Sequence, residues 1–169
     1  MINDSEKLLD ETGWALLGAL QEDARSSYAE LGRRVGLTPP AVADRMRRLE
    51  AAGIITGYHA VIDPAKVGLG LTTIIRFQAT NDPHQQIRRV VEACPEVTEY
   101  HRVTGDDCMT LTAVVASVAH LDDLIARLAP YGSSHTSIVL STPLRNRPIG
   151  PAALPREHEN DETLVTLLK

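Results

Sequence analysis

Residues 38–55 read TPPAVADRMRRLEAAGII, and the fold of the first third of the chain turns on them. Thr38 suits an N-cap, and Pro39 fits the first helical position, where its missing N–H would have no intrahelical partner anyway. Over 40–52 the apolar residues Val42, Met46 and Leu49 recur at i, i+4, i+7, and Gly53 ends the helix. At about 100° per residue these three share the inward face. The opposite face carries Pro40, Asp44, Arg47, Arg48 and Ala51, flanked by Ala41 and Arg45.

Upstream, SSYAELGRRVG places Ser27 three residues before Glu30, the spacing of a capping box, and opens a short helix with Leu31 and Val35 inward. Gly36 breaks the chain before Thr38. Earlier still, LLDETGWALLGALQED carries Leu9, Trp14, Leu16, Leu17 and Leu20 on one broad face, and Asp10 and Glu11 suit a first turn. Three helices, the last two joined by a tight glycine turn, form a helix-turn-helix. From Arg25 to Arg48 six arginines oppose only Glu30 and Asp44, a local +4 inside a chain of net charge -5. Arginine forks match phosphates and guanine edges, and small residues early in the helix let backbone approach base edges. A charge run alone more often marks a solvated face. Joined to the glycine turn and Arg33–Arg34, it points to DNA.

Downstream, IITGYHAVID has strand composition and is either a wing beside the helices or a strand leading out; AKVGLGL resembles a hinge. Then LTTIIRFQA alternates, a helix carries Ile87, Val90, Val91 and Cys94, and VTEYHRV, a GDD turn and MTLTAVVA follow. A second helix carries Leu121, Leu124, Ile125 and Leu128, and SSHTSIVLS closes the set. The order βαββαβ predicts a ferredoxin-like sandwich, so the chain as a whole is α+β. Domain boundaries fall at 1–57 (helix-turn-helix, winged-helix-like), 58–70 (strand and hinge), 71–145 (ferredoxin-like) and 146–169, a proline-rich, mostly extended tail.

Composition narrows the function classes. Hydrophobic residues make up 43% of 169, enough for a real core. No apolar run is long enough to span a membrane, and the acidic N-terminus is unlike a secretory signal. Two cysteines without a CxxC suit a reducing cytoplasm. The six histidines are scattered, with no zinc-ligand spacing, and Cys94 sits on a core stripe. No GxGxxG, GxSxG or P-loop is present, so neither a metal, a cofactor nor a catalytic residue is expected.

Asp23-Ala24-Arg25, Glu30-Leu31, Gly36-Leu37-Thr38, Arg45, Arg48-Leu49-Glu50 and Gly53-Ile54-Ile55, with VTGDD at 103–107 and TSIVLS at 136–141, make the chain resemble the Lrp/AsnC (feast/famine) transcription regulators over roughly residues 8–145. Two positions depart from the family pattern: Gly13 replaces a usual Asp, which reads as a local change, and Cys108 replaces a frequent acidic residue. The resemblance implies a nucleoid-associated regulator that binds palindrome-like double-stranded DNA. It also implies homodimers assembling to tetramers or octamers, and an amino-acid effector held between dimers. The DNA-binding set is Arg25, Ser27, Tyr28, Arg33, Thr38, Pro40, Ala41, Asp44, Arg45, Arg47 and Arg48. Arg45 borders the core and could instead pair with Glu50.

The effector set is Thr104, Gly105, Asp106, Asp107, Cys108, Ser134, His135 and Thr136. Gly105 permits φ > 0 and close backbone approach, the two aspartates could accept from an ammonium group, and Thr104 and Thr136 offer hydroxyls from strands expected to be neighbours. Turn chemistry alone would also explain GDD between strands. A second class of function is a metabolic enzyme or regulatory subunit whose helical half docks a protein. The basic, small-residue face of 40–52 favours the regulator, since a docking helix would show apolar anchors.

Overall fold

The computed structural model describes residues 7–79, 84–105 and 109–155. These group into two compact units: residues up to His59 together with those from Leu144 on, and Ala60–Pro143.

In the first unit α1 spans Glu11–Glu22, α2 Tyr28–Val35 and α3 Pro39–Ala51. Asp10 caps α1 by accepting from the Gly13 N–H at 2.7 Å. The capping box forms in full: Ser27 Oγ accepts from the Glu30 N–H at 3.2 Å, and the Glu30 carboxylate accepts from the Ser27 N–H at 2.7 Å. Thr38 occupies the N-cap of α3 and Pro39 its first position, as expected. Leu16, Leu31, Val42, Met46 and Leu49 are fully or almost fully buried, each large aliphatic contributing about 1.5–3 kcal/mol by leaving water. Between α2 and α3 the Leu37 N–H donates to the Gly32 carbonyl at 2.9 Å. A Cβ on Gly32 would stand 2.4 Å from the Leu37 carbonyl oxygen, so only glycine lets the turn fold back this closely.

After α3 no strand forms over 54–63, and the winged element expected from composition is absent among the described residues. Residues 54–59 have strand composition, but the unit they belong to is otherwise helical and offers them no sheet edge. The expected hinge becomes a 3-10 turn, Pro64–Val67, closed by Gly68.

The second unit has the expected βαββαβ order: β1 Leu71–Ala79, α4 His84–Glu92, β2 Val97–Arg102, β3 Met109–Val115, α5 Val118–Leu128 and β4 Gly132–Ile138. The sheet is antiparallel in the order β2-β3-β1-β4. Thr73, Ile75 and Phe77 of β1 and Met109, Leu111, Ala113 and Val115 of β3 point to one face. There they meet Ile87, Val91, Cys94, Leu121, Leu124 and Leu128. Cys94 is therefore core, as expected, and burial pushes its thiol pKa up.

A clasp with no forerunner in the sequence pattern joins β2 to α5. Glu96, its side chain 11% exposed, accepts from Arg127 at 2.5 Å and lies 3.0 Å from His120 Nε2. His120 Nδ1 accepts from the Ala116 N–H at 3.2 Å, so the ring proton belongs on Nε2, facing the carboxylate. Burial alone would raise the Glu96 pKa. Its own N–H, Arg127 and His120 outweigh that and hold it at about 2.

Candidate nucleic-acid interface and effector residues

The tip of α3 is open. Thr38, Pro40, Ala41 and Asp44 are exposed, and the Thr38 hydroxyl makes no capping hydrogen bond, leaving it for another partner. Arg47 and Arg48 project into solvent in the later turns. Arg47 is 73% exposed and donates to Asp44, three residues earlier, at 2.5 Å. Arg48 has no carboxylate partner among the described residues.

Arg45, also in the expected DNA-binding set, behaves differently. Its side chain is only 19% exposed, and its guanidinium is engaged by the Asp10 carboxylate and the Leu8 carbonyl. Its ion-pair partner is Asp10 and not Glu50. Glu50 accepts instead from the Tyr58 hydroxyl at 2.8 Å; burial first, then that bond, raises the Tyr58 pKa. Arg45 thus braces α3 against the start of α1, and Arg45 in turn holds Asp10 below the usual carboxylate range.

Gly13 makes this brace possible. A Cβ there would lie 1.9 Å from the Leu8 carbonyl oxygen, the atom that Arg45 also reaches. The substitution read as merely local is therefore part of the α1–α3 joint. The sequence suggested Asp10 for a first turn, and the structure makes it the N-cap; its partner 35 residues away was not legible.

At the entry to α2, Arg25, Ser27, Tyr28 and Arg33 are exposed or half-buried at the surface. Arg33 and Arg34 border a shallow polar depression of about 340 Å³ with Ser26 and Glu30. Arg34 is tied to Glu22 at 2.9 Å, whereas Arg33 and Arg25 have no ion-pair partner among the described residues. The Ser27 hydroxyl is already committed, donating to Glu30 Oε2 at 2.7 Å, which removes it as a ready donor to DNA.

In the second unit Thr104 and Gly105 follow β2 and are exposed, and Gly105 adopts the expected left-handed conformation with φ 103°. Asp106, Asp107 and Cys108 lie outside the described residues. Ser134, His135 and Thr136 are on β4, facing Phe77, Arg76 and Ile75 of β1. Ser134 and Thr136 thus point toward the helix side and His135 to the other face. The Thr136 hydroxyl oxygen is buried with no hydrogen-bond partner.

Thr104 and Thr136 are not on neighbouring strands, contrary to expectation. β2 and β4 are the two edges of the sheet, so about 14 Å, three strand spacings, separate them. The row Arg102, Met109, Phe77, Ser134 shows that both segments nevertheless lie toward the same end of the sheet. Among the described residues no group of three His, Cys, Asp or Glu could hold a metal, and no helix is long and apolar enough to cross a membrane.

Residues 9–50 match the AsnC-type helix-turn-helix domain and residues 72–149 the Lrp/AsnC ligand binding domain. The chain is 30% identical to the HTH-type transcriptional regulator LrpC of Bacillus subtilis, over 79% of this chain and 92% of that protein. It is 33% identical to the leucine-responsive regulatory protein of Escherichia coli, over 79% of this chain and 86% of that one. Among solved structures it resembles the feast or famine regulatory protein of M. tuberculosis complexed with L-methionine. That match has a TM-score of 0.79 and 32% identity, and covers 85% of this chain and 99% of that one.

Proposed function

Because the chain belongs to the Lrp/AsnC family of transcriptional regulators, we propose that it reads DNA with the open tip of α3 and adjusts that binding to a small amino acid. Residues 38–44 supply base discrimination, and Arg47 and Arg48 hold phosphates. Arg25, Tyr28 and Arg33 add contacts at the entry to α2. The observation that carries this assignment is the uncommitted Thr38 hydroxyl among small, exposed residues, with Arg48 beyond it meeting no carboxylate among the described residues. The protein works as a dimer or larger assembly in the cytoplasm, on the nucleoid. Two helix-turn-helix units related by a two-fold read half-sites about 34–36 Å apart or a multiple of that, so palindrome-like sites follow.

The effector site takes 104–107 of one subunit and 134–136 of another. Support comes from Thr104 and Gly105 following one sheet edge while 134–136 lie on the other, and from the unpartnered Thr136 hydroxyl. A ligand that bridges subunits favours one assembly through its higher affinity for it, and the assembly sets the spacing of the DNA-binding units. The M. tuberculosis relative complexed with L-methionine makes that amino acid the first probe.

Calorimetry against the twenty amino acids, with sedimentation in parallel, tests this. One amino acid should bind and shift the oligomer distribution. Gly105→Val, which puts a β-branched residue at φ 103°, should abolish both effects. If no amino acid binds, or if the variant leaves affinity and assembly unchanged, the sheet unit serves assembly alone.

A further inference from the structure

The chain after β4 does not stay with the sheet. From Leu144 it joins the helix-turn-helix unit, and one side chain holds it there. Gln21, in the last turn of α1, accepts from the Ile149 N–H at 2.8 Å and donates to the Ile149 carbonyl at 2.9 Å. A primary amide answering both groups of one residue copies a β-bridge and fixes the direction in which the backbone passes. Ile149 borders an apolar groove of about 490 Å³, walled by Trp14, Leu17, Leu20, Ile55 and Tyr58.

Ahead of the acidic stretch Glu157–Glu162, the part of the tail beside Gln21 carries only positive charge. Residues 138–155 contain Arg145 and Arg147 and no acidic residue. Both arginines are exposed, and among the described residues neither has a hydrogen-bond or ion-pair partner. Asn146 between them takes a left-handed conformation, φ 51°, which asparagine tolerates better than most residues. Pro143, Pro148 and Pro151 limit the freedom of the backbone on either side, so ordering it on a partner costs less entropy. Arg147 is only two residues, at most about 7 Å of chain, from the Gln21 anchor, and Gln21 is four residues from Arg25.

We propose that Arg145 and Arg147 form a second DNA-contacting element, an arm that Gln21 holds beside the helix-turn-helix and that grips backbone phosphates flanking the half-site. The inference rests on the DNA-binding reading above and extends the footprint beyond α2 and α3. Phosphate contacts position without reading sequence, so the arm strengthens binding and leaves base preference alone.

The test uses the full chain and duplexes that it selects from a random pool. Affinity is measured across a KCl series, with hydroxyl-radical footprints of the same complexes. Arg145→Gln/Arg147→Gln should reduce the slope of log K against log salt by about 0.9 for each phosphate no longer neutralised, about 1.8 per protomer. The selected sequence should stay the same and the outermost protection should vanish. Arg145→Lys/Arg147→Lys should restore the slope. Gln21→Ala, which frees the anchor but keeps both charges, should blur the flanking protection. Arg88→Gln/Arg89→Gln removes the same charge from α4 of the other unit and should leave the slope unchanged.

If the arm variant matches wild type in slope and footprint, or if the α4 variant lowers the slope equally, the arm is wrong while the helix-turn-helix reading stands. A wild-type chain that selects no duplex overturns that reading and the arm with it.

Discussion

The helical unit concentrates its candidate residues on two consecutive helices, whereas the sheet unit divides its candidates between the two outer strands. On α3 the reading face is local: a helix brings residues 38, 41, 44 and 48 together whatever the rest of the chain does. In the sheet, residues 104 and 105 follow β2 and residues 134–136 belong to β4, with β3 and β1 between. A site made by one helix is complete in one chain. On the proposed reading, a site split between two opposite sheet edges takes its other half from a second copy, so DNA reading and effector response fall to different units.

Core substitutions should break that division with the largest effect. Leu49 and Leu124 are both fully buried, one in each unit. Truncating either to alanine removes packed methyl groups and leaves a cavity, for a loss of about 2–5 kcal/mol. Denaturant melts should show a comparable loss for both. Leu49→Ala should weaken DNA binding first and Leu124→Ala should impair assembly first. If each variant impairs both functions equally at temperatures where it is still folded, the units do not act separately.

The next effect belongs to the sheet unit alone and depends on pH. Folding lowers the Glu96 pKa from an ordinary 4.5 to about 2. A lowered carboxylate contributes stability that is fully present above pH 4.5 and diminishes as pH falls toward 2. Allowing for the partly open Arg127 guanidinium, the contribution is on the order of 2 kcal/mol. Glu96→Gln should therefore melt lower than wild type at neutral pH, and the gap should close between pH 4.5 and 2. A gap independent of pH would mean that the clasp acts through packing and not through charge.

The smallest effects sharpen the comparison inside α3. Arg45→Met should cost roughly 1–2 kcal/mol by removing the bonds to Asp10 and Leu8. Its salt slope on DNA should stay that of wild type. Arg48→Gln should do the reverse: an unchanged melt, and a slope lower by about 0.9 for the one phosphate it no longer neutralises. Equal salt slopes for wild type and Arg48→Gln would remove Arg48 from the interface.

Much of the fold, and the exposure of the basic face of α3, was legible in the chain itself, for local reasons. The capping box at Ser27 and Glu30, Pro39 at the head of α3, and the Val42, Met46, Leu49 stripe depend on residues within a few positions of one another. The βαββαβ order follows from periodicity in the same way, switching between two and 3.6 residues. Composition misled at 54–59, because strand-forming residues need a neighbouring edge and the helical unit has none.

By itself, then, the sequence determined where helices and strands begin, which faces are apolar, and that the basic face of α3 stays in solvent. All of these are set by interactions between near neighbours. Tertiary structure alone decided which arginine braces and which is free. Arg45 borders the core, and there Asp10, 35 residues before it, and the Leu8 carbonyl meet it, whereas Arg48 stands in solvent. It likewise placed Glu96 against Arg127, 31 residues on, and Ile149 on Gln21, 128 residues back. Such pairs leave no periodic trace, since a hydrogen bond across the fold asks only for one donor and one acceptor in the right place.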